Sequence, residues 1–140
     1  MGSEPSVHDN VVYAYSVDCG ARRIVLHTAF RGREPHEFTD VIFREVVAHH
    51  FEHTLPGNIL FDVGEAEIDT VVRANAGIFG ESWRYGWPPF EYGGDLNLLV
   101  AALKAASVRA YSIDSSYGMS GWVLAGNCER LSRDVAAKVA

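Results

Sequence analysis

The sequence predicts an α+β fold in which N-terminal strands and a C-terminal hairpin form one antiparallel sheet and the middle of the chain supplies two helices. Three observations lead there. Between Val11 and Phe30, β-branched and aromatic residues come in two runs parted by the turn cluster Asp18-Cys19-Gly20, the pattern of a hairpin. Between Glu65 and Ser107, apolar residues return at three- and four-residue spacing, and the order of elements lacks the strict βαβ alternation of a doubly wound fold. The 140 residues, 48% hydrophobic and 21% charged, suffice for one domain with its own core. That single domain spans 1–140, with polar residues 1–10 expected to be a flexible lead.

The first hairpin takes residues 11–17 and 22–30, and a loop containing Pro35 follows. Residues 38–51 satisfy two periods at once. Phe43, Val46, Val47, His50 and Phe51 fit a helical stripe, whereas Val41, Phe43, Val47, His49 and Phe51 share strand parity. Their β-branched and aromatic content favours strand, and Glu45 on the apolar parity predicts a bulge or a break near Arg44-Glu45. Leu55-Pro56-Gly57-Asn58 reads as a turn before a short apolar strand, 59–63.

Residues 65–83 are predicted as the first helix. Ile68, Val71, Val72, Phe79 and Trp83 track one side, Glu65, Glu67 and Asp69 suit the N-terminal dipole, and Gly77 and Gly80 weaken the second half. The double proline of Tyr85-Gly86-Trp87-Pro88-Pro89-Phe90-Glu91-Tyr92-Gly93-Gly94 then forces a loop loaded with aromatics. Asp95 is the expected N-cap of a second helix carrying Leu96, Leu99, Val100 and Leu103. A final hairpin, 109–114 and 119–125, turns at 115–118, and 130–140 forms a short helix or a frayed end.

The formal net charge is −6, and the twelve Lys and Arg are scattered, with Arg22-Arg23 and Arg31/Arg33 as the local clusters. Duplex binding needs a concentrated basic face, so nucleic acid is not an expected partner. No apolar run approaches the roughly 18 residues of a membrane span, and the start lacks the apolar core of a signal peptide. The expectation is a cytoplasmic protein without membrane contact. Cys19 and Cys128 fit neither a CxxC motif nor a zinc knuckle, and they are expected as free thiols.

The stretches Ile59-Leu60-Phe61-Asp62-Val63, Tyr85-Gly86-Trp87-Pro88 and Ser115-Ser116-Tyr117-Gly118-Met119-Ser120-Gly121-Trp122-Val123-Leu124, with Val46-Val47-Ala48-His49-His50-Phe51-Glu52, resemble a family of small uncharacterised bacterial proteins. The resemblance covers most of the chain, implies that 38–51 is extended, and carries over no catalytic residue.

Candidate chemistry is sparse. His49, His50 and His53 surround Glu52, and imidazoles four residues apart on a helix can share one metal ion. On a helix His49 and His53 would lie about 6 Å apart along the axis. On a strand they would lie roughly 13 Å apart, so the strand reading leaves them as polar strand residues, and no metal or other cofactor is expected. His8-Asp9 lacks a second matching pair, and Gly118-Met119-Ser120-Gly121 is one residue short of a nucleophile elbow and reads as a turn whose glycine takes positive φ. Asp62, Glu65, Glu67 and Asp69 could form a carboxylate cluster, but helix-dipole complementarity already accounts for acids in a first turn.

Trp83, Tyr85, Trp87, Phe90 and Tyr92 put five aromatics into ten residues, interrupted by Gly and Pro. Rigid Trp and Tyr are common anchors of binding surfaces, and the competing reading is a loop that plugs the core. The expected function is a non-enzymatic protein-binding module that uses this segment on a protein partner or a second copy. It would be immunity-like, in that an acidic compact protein suits neutralising a basic partner such as a toxin nuclease. The alternative is a small metal-dependent hydrolase using the histidines and carboxylates.

Overall fold

A computed structural model describes residues 4–133. Strands dominate it: β1 (Val11–Asp18), β2 (Arg23–Phe30), β3 (Glu37–Arg44), β4 (Ala48–Glu52), β5 (Asn58–Ala66), β6 (Arg109–Tyr117), β7 (Ser120–Ala125) and β8 (Asn127–Arg133). Between β5 and β6 come α1 (Ile68–Ala74), α2 (Ala76–Ser82), a 3-10 turn (Trp83–Tyr85) and α3 (Leu96–Ala105). All eight strands join one antiparallel sheet in the order β4-β7-β6-β5-β1-β2-β3-β8.

This corrects the expected α+β division into an N-terminal sheet, a returning hairpin and two helices. Among the described residues, the architecture is an eight-stranded sheet carrying three short helices. Glu65 and Ala66, read as the first turn of a helix, continue β5, where they pair with Tyr111 and Ala110. The rest of that helix breaks at Asn75, whose backbone leaves the helical region (φ −115°, ψ 31°) while its side-chain amide donates to the Val71 carbonyl at 2.8 Å. An Asn that satisfies the preceding turn's carbonyl competes with the helix backbone, hence two seven-residue pieces in place of one long rod. Arg130–Arg133, expected as helix or frayed end, belong to β8, and residues 134–140 lie outside the described residues.

Other elements follow the sequence pattern. β1 and β2 form the first hairpin, and the ambiguous stretch is two strands parted at Glu45, which takes a left-handed φ of 56°. Asp95 caps α3 by accepting from the amides of Asn97 (2.9 Å) and Leu98 (3.3 Å).

Strand alternation creates two apolar layers. Ile24, Leu26, Val41, Phe43, Val63, Ile113 and Val123 point into the curl of the sheet, while Ala48, Ala110, Trp122 and Leu124 point outward to meet Val72, Phe79, Leu99 and Leu103 of the helices. Full burial of each such large side chain contributes about 1.5–3 kcal/mol before entropy is counted. The curl follows from chain connectivity. β7 lies beside one edge of the sheet and β8 forms the other, yet only Gly126 separates them, and its N–H reaches the carbonyls of Arg44 (2.9 Å) and Glu45 (3.2 Å).

Residues 4–10 lie against β5 and β8. Val7 is wholly buried in the inner core, Asp9 and Asn10 exchange backbone bonds with Leu60, and Glu4 accepts from the Arg130 amide at 3.1 Å. Glu4 thereby covers a backbone amide of the edge strand β8.

Candidate functional site: a divided aromatic segment and the slot beside it

The aromatic segment divides into an outer and an inner half. Trp83 and Tyr85 sit on the 3-10 turn, 36% and 86% exposed, with the Arg84 guanidinium 5.7 Å over the Trp83 ring. The turn closes at Gly86, whose left-handed backbone (φ 73°) lets its N–H return to the Trp83 carbonyl at 3.1 Å.

Past that glycine the chain turns inward. Trp87 is half-buried and stacks on Phe79 with centroids 5.7 Å apart and planes within 12°, and it meets Trp122 at 6.4 Å. Tyr92 is 2% exposed. Its hydroxyl donates to the Phe79 carbonyl at 2.8 Å and lies 3.2 Å from the Trp87 carbonyl, which also accepts from Ser82 Oγ at 2.5 Å. Phe90 packs against the same outer layer. Of the five aromatics singled out in the sequence, Tyr92, Trp87 and Phe90 therefore help build the core, and Trp83 and Tyr85 face solvent.

The histidines do not assemble. His49 lies on β4 and His53 just past its end, with a left-handed φ of 61°, and among the described residues no three His, Cys, Asp or Glu side chains are grouped as a metal site would require. Burial, aided by the neighbouring His50 charge, lowers the His49 pKa below the usual imidazole value. The carboxylates that could have formed a cluster are instead dispersed. Glu65 pairs with Arg109 at 3.1 Å, Asp69 with Arg73 at 2.8 Å and Asp62 with Arg130 at 3.2 Å. Gly118 takes a positive φ of 87° with its backbone against Asn58, so the Gly118–Ser120 stretch is a turn and not a nucleophile elbow.

Cys19 is exposed and Cys128 half-buried, and both are free thiols. Burial is the main force pushing the Cys128 pKa up to about 12, so this thiol stays protonated and unreactive at neutral pH.

Two features escaped sequence reading. The first is a pair fixed by the β2–β3 register: His27 faces Asp40 with Nδ1 to Oδ1 at 2.8 Å, and Arg133 closes on the same carboxylate at 3.4 Å. Only knowledge of the register could have joined them. The second is a cavity of about 260 Å³ where Trp87 and His49, from unrelated motifs, meet Arg22 and Arg23 at the tip of the first hairpin. The Arg22-Arg23 dipeptide was its one visible signal. A larger open groove of about 870 Å³ lies at the opposite end of the hairpin, but polar side chains on its wall are paired locally, His8 with Asp9 at 3.3 Å and Arg33 with Glu37 at 3.7 Å.

No protein-family model, curated protein or solved structure significantly matches this chain.

Proposed function

We propose that the protein is a non-enzymatic binding module that engages a protein partner, or a second copy of itself, through the corner carrying Trp83 and Tyr85. The observation that carries this reading is the exposure of two large aromatics on a rigid mount. Tyr85 is 86% exposed and Trp83 stands beside it, while the segment just behind them is fixed by the Tyr92 and Ser82 hydroxyls. A mount held in this way spares much of the ordering entropy that a mobile loop would lose on binding, and Trp and Tyr are the side chains most enriched at interface hot spots.

The net charge of −6 favours a basic partner and disfavours nucleic acid. The free cysteines support the cytoplasm as the working compartment. No helix among the described residues is long and apolar enough to cross a membrane.

A photo-crosslinking side chain introduced at Tyr85 in living cells tests the reading. It should trap one defined protein, or a second copy of this chain, and the Trp83→Ala change should abolish trapping. The same crosslinker at exposed Leu131, on β8, should trap nothing comparable. Equal capture from both positions, or none from Tyr85, rejects the corner as an interface.

A further inference from the structure

The cavity beside the first hairpin has the construction of a small-ligand site. Its apolar wall comes from Val17, Ile24, Val46, Val47 and Ala48, and Trp87 adds an aromatic residue to the lining. The indole cannot readily fall in to fill the space, because it stacks on Phe79 and its own carbonyl is held by Ser82 Oγ. The hairpin side is equally fixed. The Val46 amide donates to the Arg22 carbonyl at 2.9 Å, and Arg22 Nε donates back to the Val46 carbonyl at 3.2 Å. Arg22 and Glu45 both hold left-handed backbones (φ 55° and 56°), a conformation costly for residues with side chains, and both adjoin these bonds.

The polar rim decides the ligand's charge. Arg22, Arg23 and Asp18 line the mouth, so basic residues outnumber acidic ones there on a protein that is acidic overall. Asp18 Oδ1 is engaged by the Ala21 amide at 2.9 Å, and Arg23 makes no ion pair among the described residues. His49 adds a neutral imidazole, since burial holds its pKa low. An aromatic residue, an apolar wall and an arginine without an ion pair among the described residues together match one chemical class.

We propose that this slot binds a small planar aromatic carboxylate, with its ring in the apolar slot beside Trp87 and its carboxylate on Arg23. The cavity is smaller than a typical drug-sized pocket, which suits a single ring bearing an acid group and excludes bulkier acids. The proposal does not depend on the Trp83–Tyr85 corner, and each stands or falls by its own experiment.

Benzoate titrated into the isotope-labelled protein and followed by nuclear magnetic resonance provides the test. Saturable shifts are expected at the Trp87 indole N–H and at the amides of Arg23 and Val47. Arg23→Gln, which removes no ion pair among the described residues, should weaken binding at least about tenfold, the loss of one charge-assisted hydrogen bond. Uncharged benzyl alcohol should bind more weakly by a similar factor. Arg33→Gln, at the opposite end of the hairpin, should change nothing. Absence of saturation with the wild-type protein overturns the proposal, as does equal loss in both arginine variants or equal binding of benzyl alcohol.

Discussion

Trp83 and Tyr85 stand at one end of a ten-residue aromatic segment, and Trp87 and Tyr92 at the other. The two pairs have identical composition and different environments: Tyr85 faces solvent beside a partly exposed Trp83, whereas Tyr92 is buried and Trp87 packs against the outer core layer. Hydrophobicity cannot have sorted them. What differs is the position of Gly86, whose left-handed turn redirects the chain after Tyr85, and the backbone carbonyls of Phe79 and Trp87, which meet the hydroxyl of Tyr92. A tyrosine enters a core when its polar end finds a partner there, and Tyr85 is carried past any such partner.

This contrast is most vulnerable at Tyr92. Replacing Tyr92 by Ala should destabilise the fold by about 3–5 kcal/mol, since it empties a large buried site and frees the Phe79 carbonyl. Chemical denaturation measures this directly. Tyr92→Phe sharpens the result, because it keeps the ring and removes only the hydroxyl, and it should cost about 1 kcal/mol. A loss below that for Tyr92→Ala would mean that the inner half of the segment does not support the helical layer.

Trp87→Ala is the next largest effect. The ring is half-buried, stacked on Phe79 and close to Trp122, so truncation should cost roughly 2–3 kcal/mol, below the range for wholly buried aromatics. A change inside about 0.5 kcal/mol would place Trp87 functionally with Tyr85, on the surface side of the divide.

How far the sequence could disclose this division depends on the kind of signal each residue carries. Local chemistry was legible: the turn at Asp18–Gly20, the break at Glu45, the cap at Asp95 and the positive φ of Gly118 all follow from residue type and immediate neighbours. Non-local pairing was not. Nothing in Asn127–Arg133 announces that it will pair with β3, because its polar, alternating residues suit an edge strand and a tail equally well. Likewise Glu65 reads as a helix-starting acid until its register with Tyr111 is known. The aromatic segment was visible as a candidate, but its inner and outer halves are distinguished by hydrogen-bond acceptors on α2 and by the fold of the chain around Gly86. The slot depends on four segments that converge only after the sheet curls.

A titration effect links the inner half to the slot, because His49 shares its wall with Trp87. The folded state holds the His49 pKa below 6.5 through burial and the His50 charge. Above pH 6.5 the imidazole is neutral in both folded and unfolded chains and costs nothing. As the pH falls below 6.5 the unfolded chain takes up a proton that the folded chain resists, so stability drops until the lowered folded value is passed and then levels. Thermal melts of wild type and His49→Gln should therefore diverge below pH 6.5, with the variant losing less stability. Parallel curves would show that His49 is as well solvated as a surface histidine.

Tyr85→Ala should show the smallest effect on the fold and so completes the contrast with Tyr92. The side chain is 86% exposed, and Gly86 N–H bonds to the carbonyl of Trp83, leaving the turn independent of the Tyr85 ring. Surface truncations that remove no cap, core contact or buried bond stay within about 0.5 kcal/mol, and this change removes none. Denaturation midpoints of Tyr85→Ala and wild type should accordingly coincide while the denaturant slope stays constant, since the surface exposed on unfolding hardly changes. A loss of 2 kcal/mol or more, on the order of a core truncation, would show that the ring packs on the helical layer in solution. The outer half of the segment would then be structural like the inner half, and the Trp83–Tyr85 corner would lose its standing as an interface.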